Sequence, residues 1–191
     1  MIDQLIEWDK ELFLWLNGFH ADWLDPIMLF FTERNSWIPL YLVIIALIVW
    51  KLKWRSIPLL LGFGLLILIA DQLASGFFKP YFGRLRPCHE PGFQELVHMI
   101  KGCGGRYGFA SSHASNTVAL GTFIYLLTRN VYGKLMIAWA VVVSYSRIYA
   151  GVHYPADILV GAALGVFAAF VVYFLYKRLF LKDLQEIHRF V

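Results

Sequence analysis

His153 stands four residues before Asp157 in the stretch SRIYAGVHYPAD, which runs from Ser146 to Asp157. Pro155 lies between them, and proline is favoured at the first helical position, so a helix is expected to begin there with Asp157 one turn along. A carboxylate so placed can accept the proton of one imidazole nitrogen, fix the tautomer and leave the other nitrogen free to attack. A histidine with an aspartate four residues on is also a common structural hydrogen bond, so the pair alone decides nothing.

His113 adds to it. In FASSHAS (Phe109 to Ser115) it opens an apolar run beside Ser111 and Ser112. Unpaired backbone N–H groups and the helix dipole favour an anion at such a place, and a histidine there could protonate a leaving oxygen. The alternatives are a histidine without a role or a metal ligand, and no zincin-type spacing supports the second. Lys79 and Arg86, in KPYFGRLRP, and Arg147 supply positive charge. A phosphoryl group in transfer spreads negative charge over its equatorial oxygens, which fixed cations and N–H donors stabilise; arginine suits bidentate contact. For Arg84, Lys101 and Arg106 the expected role is snorkelling to headgroups.

What must position these groups is a membrane bundle. The chain has 191 residues, 59% apolar and 17% aromatic, richer than ordinary soluble domains. At this length one domain spanning 1–191 is expected. A hydrocarbon core of about 30 Å needs about 20 apolar helical residues. Four segments approach this: Asn35 to Trp54, Ile57 to Phe78, Ala114 to Thr128 and Ala156 to Tyr176. A fifth, Gly133 to Ser146, reaches span length when continued to Ala150. The fold class is thus all-α, with five membrane helices, or six if Leu24 to Phe31 also crosses. The first residues, MIDQLIEWDKELFLWL, carry acidic groups where a secretory signal would be basic. They read as an amphipathic helix, either lying on the membrane surface or packed on the bundle.

Because consecutive spans alternate in direction, segments 79–113 and 147–155 share one face. The other face carries Lys51, Lys53, Arg55, Arg129, Lys134, Lys177, Arg178, Lys182 and Arg189, and is expected to be cytoplasmic. The cations of the first face then need another explanation, and anion binding on the exterior side supplies it. Cys88 and Cys103 lie on that side and could form a disulfide there; two buried free thiols are the alternative. Asp71, inside the second span and two turns before Lys79, could orient that lysine through an intermediate group. Gly161 and Gly165 permit close helix approach, more simply within one subunit than between two. His20, His89, His98 and His188 have no partner apparent in the sequence. The net charge of +4 is small and no block of like charge appears, which excludes nucleic acid as a partner.

The three polar stretches resemble the signature of the type 2 phosphatidic acid phosphatase superfamily. That superfamily includes bacterial undecaprenyl-diphosphate and phosphatidylglycerophosphate phosphatases, lipid A phosphatases and vanadium haloperoxidases. Its first motif, a Lys followed after six residues by Arg-Pro, is matched by Lys79, Arg86 and Pro87; its third by Ser146, Arg147, His153 and Asp157. Its second, Pro-Ser-Gly-His, is matched in part, with Ala110 and Ser112 in place of Pro and Gly. The resemblance covers about the last two-thirds of the chain. It implies a lipid phosphatase of the bacterial inner membrane, its active site facing the periplasm or exterior. His153 would be the nucleophile, Asp157 its orienter and His113 the general acid. Lys79, Arg86, Ser111, Ser112 and Arg147 would hold phosphate, and neither metal nor organic cofactor would be needed. The expected partners are a lipid phosphate or diphosphate and the bilayer; oligomeric state is left open. A phosphotransferase using the same phosphohistidine is the alternative, and a non-catalytic phosphate-binding membrane protein a more distant one.

Overall fold

A turn of two residues, Arg129 and Asn130, joins the helices that carry the second and third motifs. Arg129 adopts the left-handed conformation that ends the first helix, and the Asn130 side chain accepts the Gly133 N–H at 3.2 Å, capping the second. In the computed structural model, which describes residues 1–180, the α-helices run in this order. They are α1 (Ile2–Asn17), α2 (Asp25–Thr32), α3 (Ile38–Leu52), α4 (Ser56–Asp71), α5 (Lys79–Phe82), α6 (Ser112–Thr128), α7 (Val131–Tyr149) and α8 (Pro155–Leu179). Lys182, His188 and Arg189 lie outside the described residues.

Among the described residues, two helical stretches are long and apolar enough to cross a membrane by themselves, Asn35–Phe82 and Pro155–Leu179. The first is two helices, α3 and α4, separated at Lys53, whose φ of 48° reverses the backbone. Beyond α4 the helix loosens into a π-helical stretch, Gln72–Phe78, before α5 ends at Gly83 in the left-handed region. The run expected to stop at Phe78 therefore continues to Phe82. Likewise the run Gly133 to Ser146 is part of the 19-residue α7.

The core packs α4, α6 and α8 together through Leu59, Leu66, Phe123, Leu127, Val172 and Tyr173. Glycine lets α8 press on α6: a Cβ at Gly161 would strike the Ser111 carbonyl, and one at Gly165 the Ser115 carbonyl. The small-residue pair thus serves packing within the chain. Outward, Leu42, Leu47, Leu61, Leu68, Phe167 and Phe174 stay exposed, a belt of apolar surface that water would not tolerate in one patch.

The N-terminal helix is docked on the bundle. Phe13 is fully buried, its ring edge-on to Tyr154 at 5.3 Å. Asn17 donates to the carbonyls of His98, Ile148 and Tyr149 and accepts the His98 N–H, so one side chain ties α1 to the loop before α6 and to the end of α7. Its other face leaves Leu5, Trp8, Leu12 and Trp15 exposed. Of the two expected placements, the packing on the bundle is the one these contacts make. Cys88 and Cys103 are joined by a disulfide, with Cα atoms 5.9 Å apart.

Candidate active site

Each motif is delivered by a helix end. Lys79 begins α5, Ser112 and His113 open α6, Arg147 lies in the last turn of α7, and Asp157 sits in the first turn of α8. Arg86 and His153 come from the connecting loops, so all the groups gather at one end of the bundle.

Asp157 is fully buried. One of its oxygens, Oδ2, lies 3.2 Å from His153 Nδ1 and accepts the Tyr154 N–H at 3.0 Å. The imidazole therefore carries its proton on Nδ1, and the lone pair of Nε2 faces the Arg86 guanidinium, whose Nη1 is 3.4 Å away. Burial above all, then the charges of Arg147, Arg86 and Lys79, hold the His153 pKa well below its ordinary value. It is a neutral base oriented by a carboxylate, the form a nucleophile requires.

Beside this pair lies a cavity of about 1030 Å³. Its polar end is lined by Lys79, Arg86, Ser112, His113, Asn116 and Arg147. Neither His153 nor Asp157 lines it; His153 lies behind Arg86, which lines the cavity and whose guanidinium meets His153 Nε2. Lys79 Nζ is 2.9 Å from Ser112 Oγ and 3.5 Å from Ser75 Oγ, which in turn donates to Asp71 at 3.4 Å. Ser75 is thus the intermediate group between Asp71 and Lys79. Arg147 Nη1 donates to the hydroxyl and carbonyl of Thr32 on α2. The Nε–H groups of both Arg86 and Arg147 are buried without a protein acceptor, which leaves two charged donors for an anion.

Other placements add to the sequence reading. Ser111 does not line the cavity: it is fully buried, its Oγ accepts the Ala114 N–H at 3.4 Å and its amide donates to the Asp157 carbonyl at 2.9 Å. Its side-chain oxygen thus caps α6 and its amide joins α6 to α8, and the hydroxyl proton is left to donate. Arg84 does not snorkel. It bridges the buried Asp157 and the half-buried Asp9 and lies over the Tyr154 ring. Lys101 pairs with Glu33 at the cavity rim, and that contact, foremost among its neighbours, lowers the Glu33 pKa. His98, which had no apparent partner, meets Asp25 at 2.9 Å and stacks on His20.

Gly108 also escaped the sequence reading. A Cβ there would fall 2.9 Å from Asp157 Oδ2 and 3.3 Å from Arg86 Cγ, so only glycine lets the loop close over the pair. Asp9 carried no signal at all. Among the described residues no group of three or more His, Cys, Asp or Glu is arranged to hold a metal.

Residues 58–180 match the family model described as the PAP2 superfamily. The chain belongs to the PAP2 superfamily. It is 36% identical over 183 residues to a lipid A 4'-phosphatase of Bacteroides thetaiotaomicron, a match covering 94% of this chain and 81% of that protein. A lipid A 4'-phosphatase of Porphyromonas gingivalis is 37% identical, with 93% of this chain and 77% of that one covered. Among solved structures, the transmembrane PAP2 type phosphatidylglycerolphosphate phosphatase of Bacillus subtilis superposes with a TM-score of 0.67 at 26% identity, over 92% of this chain and 87% of that one. This PAP2 protein is accordingly a membrane lipid phosphatase, and its substrate is a lipid phosphate.

Proposed function

We propose that this chain is a single-domain PAP2 phosphatase that removes a phosphate from the headgroup of a lipid A type substrate at the exterior face of a bacterial inner membrane. Five helices, α3, α4, α6, α7 and α8, cross the bilayer in this reading, with α1 along the exterior surface and α2 short of a full crossing. The observation that carries it is the make-up of the cavity. Basic and imidazole groups line one end, while Ile44, Ile48, Leu60, Phe63 and Ile67 of α3 and α4 line the other. Such a space accepts a phosphorylated headgroup and the apolar chains behind it. The choice of lipid A rests on the lipid A 4'-phosphatases to which the chain is similar nearly end to end.

In the first step the phosphate sits on Lys79, Ser112, Arg86 and Arg147, which draws the Arg86 guanidinium off His153 Nε2. That nitrogen attacks phosphorus as the P–O bond to the lipid breaks, and His113 gives a proton to the departing oxygen. Asp157 stabilises the charge that develops on His153. In the second step water attacks the phosphohistidine, the P–N bond breaks, and His113 takes the proton back. Inorganic phosphate is released and His153 returns to its neutral form.

The test is a panel of lipids given to purified protein in detergent: a lipid A, phosphatidylglycerophosphate, undecaprenyl diphosphate and phosphatidic acid. Free phosphate should be released fastest from lipid A and not at all by His153→Ala, with vanadate inhibiting and chelators without effect. Activity of His153→Ala at a comparable rate removes the mechanism. Preference for another lipid removes only the choice of headgroup.

A further inference from the structure

We infer that Arg84 and Asp9 are positioning residues for the nucleophile, forming an outer relay Asp9–Arg84–Asp157–His153 that begins on the N-terminal helix. Asp9 lies outside the stretch that matches the family model, residues 58–180, and Arg84 stands two residues before the motif arginine. The inference rests on the reading of His153 as nucleophile and goes beyond it.

Arg84 holds Asp157 from the side that His153 does not use. The aspartate's Oδ2 is taken up by His153 Nδ1 and the Tyr154 N–H. Its Oδ1 meets Arg84 Nη1 at 3.2 Å. With only one oxygen held, the carboxylate could rotate about its terminal bond and carry the imidazole with it; with both held, its plane is set. The guanidinium is fixed in its turn. Its carbon lies 4.1 Å from the centre of the Tyr154 ring, and Nη2 meets Asp9 Oδ2 at 2.6 Å.

Asp9 acts twice. Besides Arg84, it accepts the Ala156 N–H through Oδ1 at 2.8 Å, in the turn of α8 that carries Asp157. A negative charge at a helix N-terminus is favourable, and here it ties both Arg84 and the turn that bears Asp157 to α1. That helix is itself locked by buried Phe13 and Asn17. The Arg84 guanidinium is taken up by Asp157, Asp9 and the Tyr154 ring, which places it to steer the carboxylate.

Kinetics of the full-length protein on the lipid it turns over fastest separate this role from a plain tether. Arg84→Ala should lower kcat by roughly 10²-fold, the cost expected when a reacting group is displaced by about 1 Å, with KM unchanged. Guanidinium ion added to that variant should restore part of kcat, and should do nothing for the wild type. Asp9→Asn keeps an acceptor for Ala156 while removing the ion pair, and should lower kcat about fivefold with no further loss in the Arg84→Ala background. A rise in KM at constant kcat would make Arg84 a substrate contact and overturn the relay, and so would wild-type kcat in both single variants. If Arg84→Ala does not melt cooperatively, Asp9→Asn and Arg84→Lys decide in its place: loss of kcat in Asp9→Asn supports the relay, unchanged kcat in both overturns it. His153→Ala, run alongside, must be inactive; activity there overturns the underlying mechanism rather than this relay alone.

Discussion

Lys79 Nζ and Ser112 Oγ are 2.9 Å apart although 33 residues separate them in the chain. Ser112 occupies the position where the PAP2 motif has glycine, so this chain carries a hydroxyl that holds the lysine over the cavity. Ser112→Gly restores the motif and releases Lys79. A single hydrogen bond contributes a net of about 0.5–1.5 kcal/mol, so KM should rise roughly threefold to tenfold while kcat changes little. Initial rates across a range of lipid phosphate concentrations check this.

The nucleophile's titration gives a second prediction. His153 has its pKa lowered by burial and by the cations around it. The attacking form is neutral, so it persists as the pH falls and is lost only below the ordinary imidazole range, about 6.5. A profile of kcat/KM, corrected for ionisation of the substrate phosphate, should therefore show no loss of free enzyme between pH 8 and 6.5. A drop centred near 6.5 in that corrected profile would contradict the buried setting of His153.

The disulfide lies close to the chemistry. Cys88 packs on Ala150 and Val152, immediately before His153, and follows Arg86 and Pro87. Its bridge to Cys103 spans 15 residues, for which loop entropy suggests about 3 kcal/mol of stabilisation. Reduction, or the double change Cys88→Ser with Cys103→Ser, should lower Tm and also reduce turnover. Thermal unfolding with and without reductant, followed by an activity assay at a temperature where both forms are folded, measures the two effects separately.

Asp71 accepts from Ser75 at 3.4 Å and from Asn116 at 3.3 Å, and so joins the end of α4 to α6. These contacts are long and reach Lys79 only through Ser75. Asp71→Ala should then cut the yield of folded protein more than it cuts the kcat of the protein that folds. Yield after gel filtration against kcat per active molecule is the comparison; a well-expressed but inactive variant would sink it.

How far the sequence could be read followed from the range of each interaction. Apolar runs at or approaching span length foretold α3, α4, α6 and α8, because length and hydropathy are local properties. The fifth run was too short until Arg147 was allowed inside it. A buried arginine lowers local hydropathy, yet α7 contains it because Arg147 donates to Thr32. The residue types around Lys79, Arg86, His113 and His153 announced phosphoryl chemistry through motifs whose order and spacing are visible in one dimension.

Other roles depended on contacts that no spacing reveals. Ser111 and Ser112 are neighbours in the chain, yet the turn into α6 buries the first as a cap and points the second at Lys79. Arg84 resembles any other cation beside a membrane until Asp9, 75 residues earlier, is brought against it. Local pattern thus determined the helices, the membrane class and the chemistry. The packing of α1 and of the 79–111 loop over the head of α8 decided which charges face the cavity and which hold the carboxylate, because only folding sets the distances between groups remote in sequence.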